Sequence, residues 1–549
     1  MTPSGKETIK RILGEIPYTA ELYWLIRQRG KPLHNRFRLR NLQCALPEVV
    51  ESAVNLRKSA QDGRKILVFA SLHMWIEHAA LVATALSAQG HKVTFGYLPY
   101  GDWYTDTPRF DLRRQNAYAR KVLEPAEEVM DIVSFLSIRA PYTPLPDELV
   151  KAVREVSIYD TQYTQQVEEI DTECELFKLR TKRNREMAQA ALAWLRSNRP
   201  DVVVLPNGTI QEFGVLYRVA RHMKIPVVTY EFNEQRQCLW LAQNAEVMRQ
   251  DTSALWEARR DLPLAEEQIK RIQGLFSARK HAALWENFAR LWQGVPAGGG
   301  EQARARLGLD NRPVVLLATN VLGDSLTLGR QVFSKNMAEW ISRTVQYFMG
   351  RSDIQLVIRI HPGEVLTHGQ SMSAVVKEAL PRLPDNIRLI GPREEINTYD
   401  LIEVADLGLV YTTTVGMEMA MNGVPVVVSG KTHYRSRGFT YDPESWVAYF
   451  KLLGQILENP AEFRLNKEQV QSAWGYAYRF FFEYPHPFPW HLKRVWDDYK
   501  DHPLEKVMVG DEKGLFEKTF GYLAGDKVDW GVAQKDENNQ VETIALEIE

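Results

Sequence analysis

The sequence predicts an α/β protein with two Rossmann-like domains facing a cleft, a helical N-terminal segment and a helical insertion. Three observations carry this reading. Apolar runs of strand length alternate with helical stretches in two separate regions, a glycine-rich segment joins the regions, and polar residues gather just after the strands of the second. Strands that alternate with helices imply parallel sheets covered on both faces. A chain of 549 residues also exceeds what one core holds and suits two or three domains.

Residues 1–60 read as a helical basic N-terminal segment. Within residues 1–40, nine Lys or Arg stand against three Glu, and Ile12, Ile16, Tyr18, Leu22, Trp24 and Leu25 can share a helix face. Such a segment either docks on the body with its basic side in water, which is the default, or lies on an anionic membrane surface. Residues 61–298 form the N-terminal, acceptor-side domain. Its strands are KILVFA (65–70), KVTFGYL (92–98), DVVVLP (201–206) and IPVVTYE (225–231), with helices over about 74–89 and 209–223. Between them, residues 105–200 read as mostly helical, and the charged run Lys178–Glu186 as a solvated helix face.

The segment Gly294–Gln302 is the linker expected from its glycines. Residues 299–470 form the second domain, with strands at PVVLLAT (313–319), IQLVIRI (354–360), NIRLI (386–390), LGLVY (407–411) and VPVVV (424–428). Residues 471–549 form aromatic return helices and an acidic tail. The ring-dense Trp474–Trp490 is expected to lie against both domains, and the tail to be solvated with its last fifteen residues frayed.

Composition excludes several classes. A net charge of −1 argues against a nucleic-acid binder. Cys44, Cys174 and Cys238 are widely spaced, which excludes a disulfide framework and a cysteine metal site. With neither a signal peptide nor an apolar run of about 20 residues, the expected setting is cytoplasmic.

In open α/β sheets ligands sit beyond the carboxyl ends of the strands. Those positions in the second domain hold TNVLGDS, RIHPGE, GPREE, TTTVGMEMA and SGKTHYRSRGFT. The candidate nucleotide-sugar-binding residues are therefore Thr319, Asn320, Arg359, His361, Thr412, Thr413, Thr414, Glu418, Lys431, Arg435 and Arg437. A helix starting near Thr413 or Thr414 offers unpaired amides to an anion, and threonine hydroxyls add donors. Gly416 would let a ligand approach closely. Glu418, one turn further, suits a ribose diol rather than a phosphate. Arg359 and His361 occupy alternate strand positions and share a face. Lys431, His433, Arg435 and Arg437 lie in a loop that can close over a diphosphate.

The stretches RIHP (359–362), YTTTVGMEMAMNGVPVVV (411–428), GKTHYRSRGFT (430–440) and AYRFFFEYPHPFPW (477–490) resemble the capsule polysaccharide biosynthesis glycosyltransferases, the Kdo-transferase-like group. The resemblance covers the second domain and the aromatic return. It implies the glycosyltransferase B fold, with the His-Pro pair, the hydroxyl cluster and Glu418 holding a nucleotide-sugar donor. It further implies transfer to a saccharide or lipid-linked saccharide of a capsular or lipopolysaccharide-type polymer, with peripheral contact at the inner face of the membrane as an added expectation. A CDP-polyol phosphotransferase, a nucleotide-sugar 2-epimerase and a noncatalytic nucleotide-sugar-binding scaffold share the same features and stay open. Donor turnover separates enzyme from scaffold.

Glycosyl transfer needs stabilisation of a leaving phosphate and, in the inverting case, a base for the acceptor hydroxyl. The base is expected at a strand end of the first domain, where Glu231, His73 and Glu212 are the catalytic candidates and Glu77 a further one. Asn207-Gly208 on the same rim is placed to contact the acceptor. The sequence has no DxD-like acidic metal pattern, so no metal and no cofactor are expected.

Overall fold

Near-continuous burial along the predicted strands builds the sheets of the computed structural model, which describes residues 5–33, 37–139, 144–291 and 293–531. The first sheet contains β1 (Lys65–Ser71), β2 (Lys92–Leu98), β3 (Asp131–Ser134), β4 (Val202–Pro206), β5 (Val227–Phe232) and β6 (Cys238–Gln243). The second contains β7 (Val314–Ala318), β8 (Gln355–Arg359), β9 (Ile387–Ile390), β10 (Leu407–Val410) and β11 (Val426–Val428). A two-residue strand, β12 (His486–Pro487), returns to the first sheet.

The strand orders are β12-β6-β5-β4-β1-β2-β3 and β11-β10-β7-β8-β9. Apart from the antiparallel β6 and β12, both sheets are parallel and share one winding, in which the order reverses between the first and fourth strands. Alternate side chains feed opposite layers. Ile66, Val68 and Ala70 of β1 enter one core while Leu67 and Phe69 enter another. In β7, Val314 and Leu316 oppose Val315 and Leu317. Burial on both faces is why these strands read as continuous apolar runs. The two Rossmann-like sheets with a cleft between them are the predicted fold.

Three strands escaped the sequence reading. β3 lies inside the stretch expected to be helical and is a short, half-buried edge strand. β6 and β12 pair across more than two hundred residues of chain, a partnership with no local signal. The charged run Lys178–Glu186 is corrected too, because Arg180 and Arg183 on the helix Glu175–Asn198 are buried rather than solvated.

The C-terminal return is also more structural than expected. Phe488, Trp490, Leu504, Val507, Phe516 and Phe520 enter the core beneath β1, β2 and β4, so residues 501–531 cover the first sheet instead of solvating it. The last fifteen residues lie outside the described residues. In the expected linker, Gly298 and Gly299 donate their amides to the Asp400 carboxylate, and the helix Gly300–Leu307 starts there. Across the cleft, Glu168 accepts from the amides of Met337 and Ala338, and Arg249 donates to the carbonyls of Leu328 and Gly329. These contacts fix the two rims against each other.

Candidate functional site

Both sheets turn their carboxyl ends toward the cleft, and their switch points bring polar turns together. At the second switch point, β7 ends in Thr319-Asn320 and β10 ends in Tyr411-Thr412. The Thr319 hydroxyl accepts from the His361 amide at 3.1 Å, and Asn320 Oδ1 accepts from the Thr412 amide at 3.1 Å. These bonds tie three strand ends into one lip. A cavity of about 200 Å³ opens over that lip, lined among others by Asn320, His361, Thr412, Thr413, Thr414 and Lys431.

His361 has a defined tautomer. Its Nδ1 accepts the Gly363 amide at 3.0 Å, capping the short helical turn Pro362–Leu366. Burial, with Arg290 and Arg359 nearby, pushes the imidazole down to about 4. The neutral ring must then carry its proton on Nε2, which makes that edge a donor. Thr412 Oγ1 is buried beside it with no hydrogen-bond partner among the described residues, so a second polar group stands unsatisfied. Arg290, Arg330 and Lys431 supply cationic lining. Burial lowers the Arg330 guanidinium to about 10, which still leaves it charged at neutral pH.

Other predicted residues go elsewhere. Arg359 is buried and donates to the Gly391 carbonyl at 2.8 Å, so it braces β8 against the turn after β9 rather than lining the cavity. Arg435 donates to the carbonyls of Val428, Asp442 and Pro443, and Arg437 to Ser253 Oγ. Both fold the loop instead of closing it over a ligand. Glu418 is buried, and its carboxylate accepts from Arg279 Nη1 at 3.0 Å, with Tyr399 alongside. The ribose partner expected at this position is therefore already engaged by protein. Gly416 serves packing, since a Cβ there would meet the Tyr434 hydroxyl at 2.3 Å.

The aromatic return supplies what sequence periodicity could not. Its π-helical turn Arg479–Glu483 places Phe480 and Phe481 on the cavity wall. Phe480 stacks on His433 with centroids 3.8 Å apart and planes 5° from parallel. The turn also reaches the first domain, where Gln235 Nε2 donates to the Phe481 carbonyl at 2.6 Å. Arg279, Arg290 and Arg330 were missed because they lie in helix or loop segments with no motif. Only the cations' convergence in space marks them.

On the facing rim, Glu231 is the penultimate residue of β5, two residues before the cavity-lining Asn233–Gln235. Asn207 Nδ2 donates to its Oε2 at 3.2 Å, yet burial still pushes the carboxyl up to about 7. Burial raises Tyr163, and the negative charges of the cavity residue Asp324 and of Glu231 raise it further. The backbone is unusual here. Leu72, Asn207 and Gln211 have φ of 68°, 59° and 59°, a left-handed region costly for such residues and common at functional rims.

His73 begins the helix after Leu72, with Nδ1 buried and unpartnered among the described residues, and burial lowers its basicity. Glu212 is corrected. It lies in the core, where Arg180 Nη2 donates to its Oε1 at 2.9 Å while Arg180 Nε holds Asp160 at 3.0 Å. Glu77 likewise accepts from Trp496 Nε1 at 2.8 Å and ties the return to the first domain. Among the described residues, no group of three or more His, Cys, Asp or Glu is arranged to hold a metal ion.

No family model matches the chain, and no curated protein matches it. Among solved structures, the KpsC β-Kdo 2,4-transferase of Thermosulfurimonas dismutans is 17% identical with a TM-score of 0.35, covering 53% of this chain and 82% of that one. A UDP-GlcNAc 2-epimerase from Neisseria meningitidis is 14% identical with a TM-score of 0.23, covering 76% and 99%. The glycotransferase of kitacinnamycin is 13% identical with a TM-score of 0.25, covering 80% and 98%. TM-scores this low transfer no residue role and no activity.

Proposed function

We propose that this protein is a glycosyltransferase that moves a sugar from a nucleotide-activated donor to a saccharide acceptor of a surface polysaccharide. One observation carries the reading: donors suited to a phosphate line the switch point of the second sheet while a carboxyl held near 7 is next to last in a strand on the facing rim. In this reading the His361 Nε2–H, the Thr412 hydroxyl, Arg290 and Lys431 bind the diphosphate. Phe480 and Phe481 offer an apolar wall to the base or sugar. The acceptor oxygen bonds to the anomeric carbon, the bond to the phosphate oxygen breaks, and the acceptor proton passes to Glu231. The nucleotide leaves with its negative charge facing the cations and the imidazole donor. Fixed donors of this kind act strongly where water is excluded.

The leaving charge falls to side chains in this scheme, so turnover is expected to survive EDTA; complete loss on chelation, restored by a divalent cation, would contradict it. A thermal-shift screen against CMP, CDP, UDP, GDP and dTDP sugars should identify the nucleotide, and product analysis with and without acceptor then tests transfer. Conversion of the donor sugar without acceptor would instead indicate an epimerase, and binding without any turnover a scaffold.

His361→Ala should weaken donor affinity by roughly 10- to 100-fold, the loss of one charge-assisted hydrogen bond of about 1.5–3 kcal/mol. Because the ring titrates near 4, the parent's affinity should stay flat from pH 6 to 8 as far as His361 is concerned. Calorimetric titration reads both. Unchanged affinity in the alanine variant would remove His361 from the site.

A further inference from the structure

The N-terminal hairpin reverses the usual arrangement of a surface helix. Its helices Gly5–Glu15 and Thr19–Ile26 lie against the helix Arg109–Leu123 through ion pairs, hydrogen bonds and the Tyr23–Phe110 ring contact. Lys10 pairs with Asp111 at 2.7 Å, Arg113 pairs with Glu21, and Arg113 also donates to the carbonyls of Gly14 and Ile16. Gly14 lies against the backbone at Phe110, while Ala20 and Trp24 are buried. The large aliphatic side chains point the other way. Ile9 and Ile12 lie on the first helix and Ile16 just past its end, Leu22, Leu25 and Ile26 share one face of the second, and all are exposed, Ile26 by 71%. Tyr18 at the connecting turn is exposed by 74%.

So dense an apolar face in water marks a surface that meets a partner. Charge identifies which. Two of the hairpin's acids pair with the body, Glu15 with Arg109 and Glu21 with Arg113. Arg11, Arg27, Arg29 and Lys31 are exposed and carry no ion pair among the described residues. An apolar face edged by free cations complements an anionic lipid surface, whose acyl boundary takes the aliphatics and whose headgroups take the charge. No helix among the described residues is long and apolar enough to cross a membrane, so the hairpin would lie on the surface.

We propose that the hairpin Gly5–Ile26, with the cations that follow it, docks this protein on an anionic bilayer. A cavity of about 960 Å³ is bounded by Arg11, Glu15 and Glu21 of the hairpin and by Phe135–Ile138 just beyond β3. Docking would set that opening beside the membrane, where a lipid-linked acceptor would enter if the transferase reading holds; the docking does not depend on that reading.

Flotation of the full chain tests this with two kinds of vesicle, phosphatidylcholine alone and phosphatidylcholine mixed with phosphatidylglycerol. The parent should float with the mixed vesicles at low salt and be released as salt rises. A triple variant, Ile12→Ser, Leu25→Ser and Ile26→Ser, should bind the mixed vesicles at least 10-fold more weakly while keeping the parent's Tm. A second, Arg27→Gln, Arg29→Gln and Lys31→Gln, should lose the preference for phosphatidylglycerol. The proposal is overturned if the parent stays unbound on mixed vesicles, or if the serine variant floats like the parent. It is equally overturned if light scattering shows a parental dimer that the serine changes convert to monomer while neither form binds vesicles, since a second copy then covers the face.

Discussion

Glu231→Gln should cut sugar transfer by about 10²- to 10⁴-fold, the usual contribution of a positioned general base, while leaving donor binding intact. A carboxyl near 7 is poised to accept a proton at neutral pH, so the parent's kcat/KM should rise with pH through an apparent value near 7, and that limb should vanish in the variant. Stability provides an independent readout. An unfolded glutamate releases its proton near 4.5, whereas the folded Glu231 keeps it to about 7, so the native state binds more protons between these values. Stability contributed by this group therefore falls as pH rises through that window. Glutamine keeps the shape and removes the buried charge, so the variant's Tm at pH 8 should equal or exceed the parent's. Retained transfer in a folded Glu231→Gln protein would exclude Glu231 as the base and direct attention to His73.

The largest stability effect is expected in the first domain's core. Arg180→Met should destabilise the protein by about 3–5 kcal/mol, because it leaves Asp160 and Glu212 buried without their shared cation. Asp160 is already raised by burial, and without Arg180 its carboxyl would hold its proton more tightly. The deficit should therefore shrink as pH falls and grow as it rises, which denaturant titrations at pH 5 and pH 8 can measure. The companion variant Glu212→Gln preserves a neutral Arg180–Asp160 pair and should fold and turn over donor near the parental rate. A folded Glu212→Gln protein without activity would restore Glu212 as a catalytic candidate.

The division between legible and illegible features follows the range of the interactions involved. β1, β2, β4, β5 and the five strands of the second sheet were readable because burial on both faces writes itself into consecutive residues such as Ile66–Ala70 and Val314–Ala318. β12 was not, because its partner β6 lies far along the chain, and β6 forms an antiparallel hairpin with β5 that no turn motif announced. The site divides the same way. Asn320, His361, Thr412, Thr413, Thr414 and Lys431 reach the cavity, as their places after parallel strands suggested.

Sequence alone thus determined the parallel sheets and the positions of their carboxyl-end loops, since both depend on local periodicity and chain direction. Only the tertiary structure decided which side chain each cation meets. It sent Arg359 and Arg435 to backbone carbonyls, Arg437 to the Ser253 hydroxyl, Glu418 to Arg279 and Glu212 to Arg180. The physical reason is that buried charge must find its counterpart wherever the fold brings one near, and that distance is not written in residue spacing.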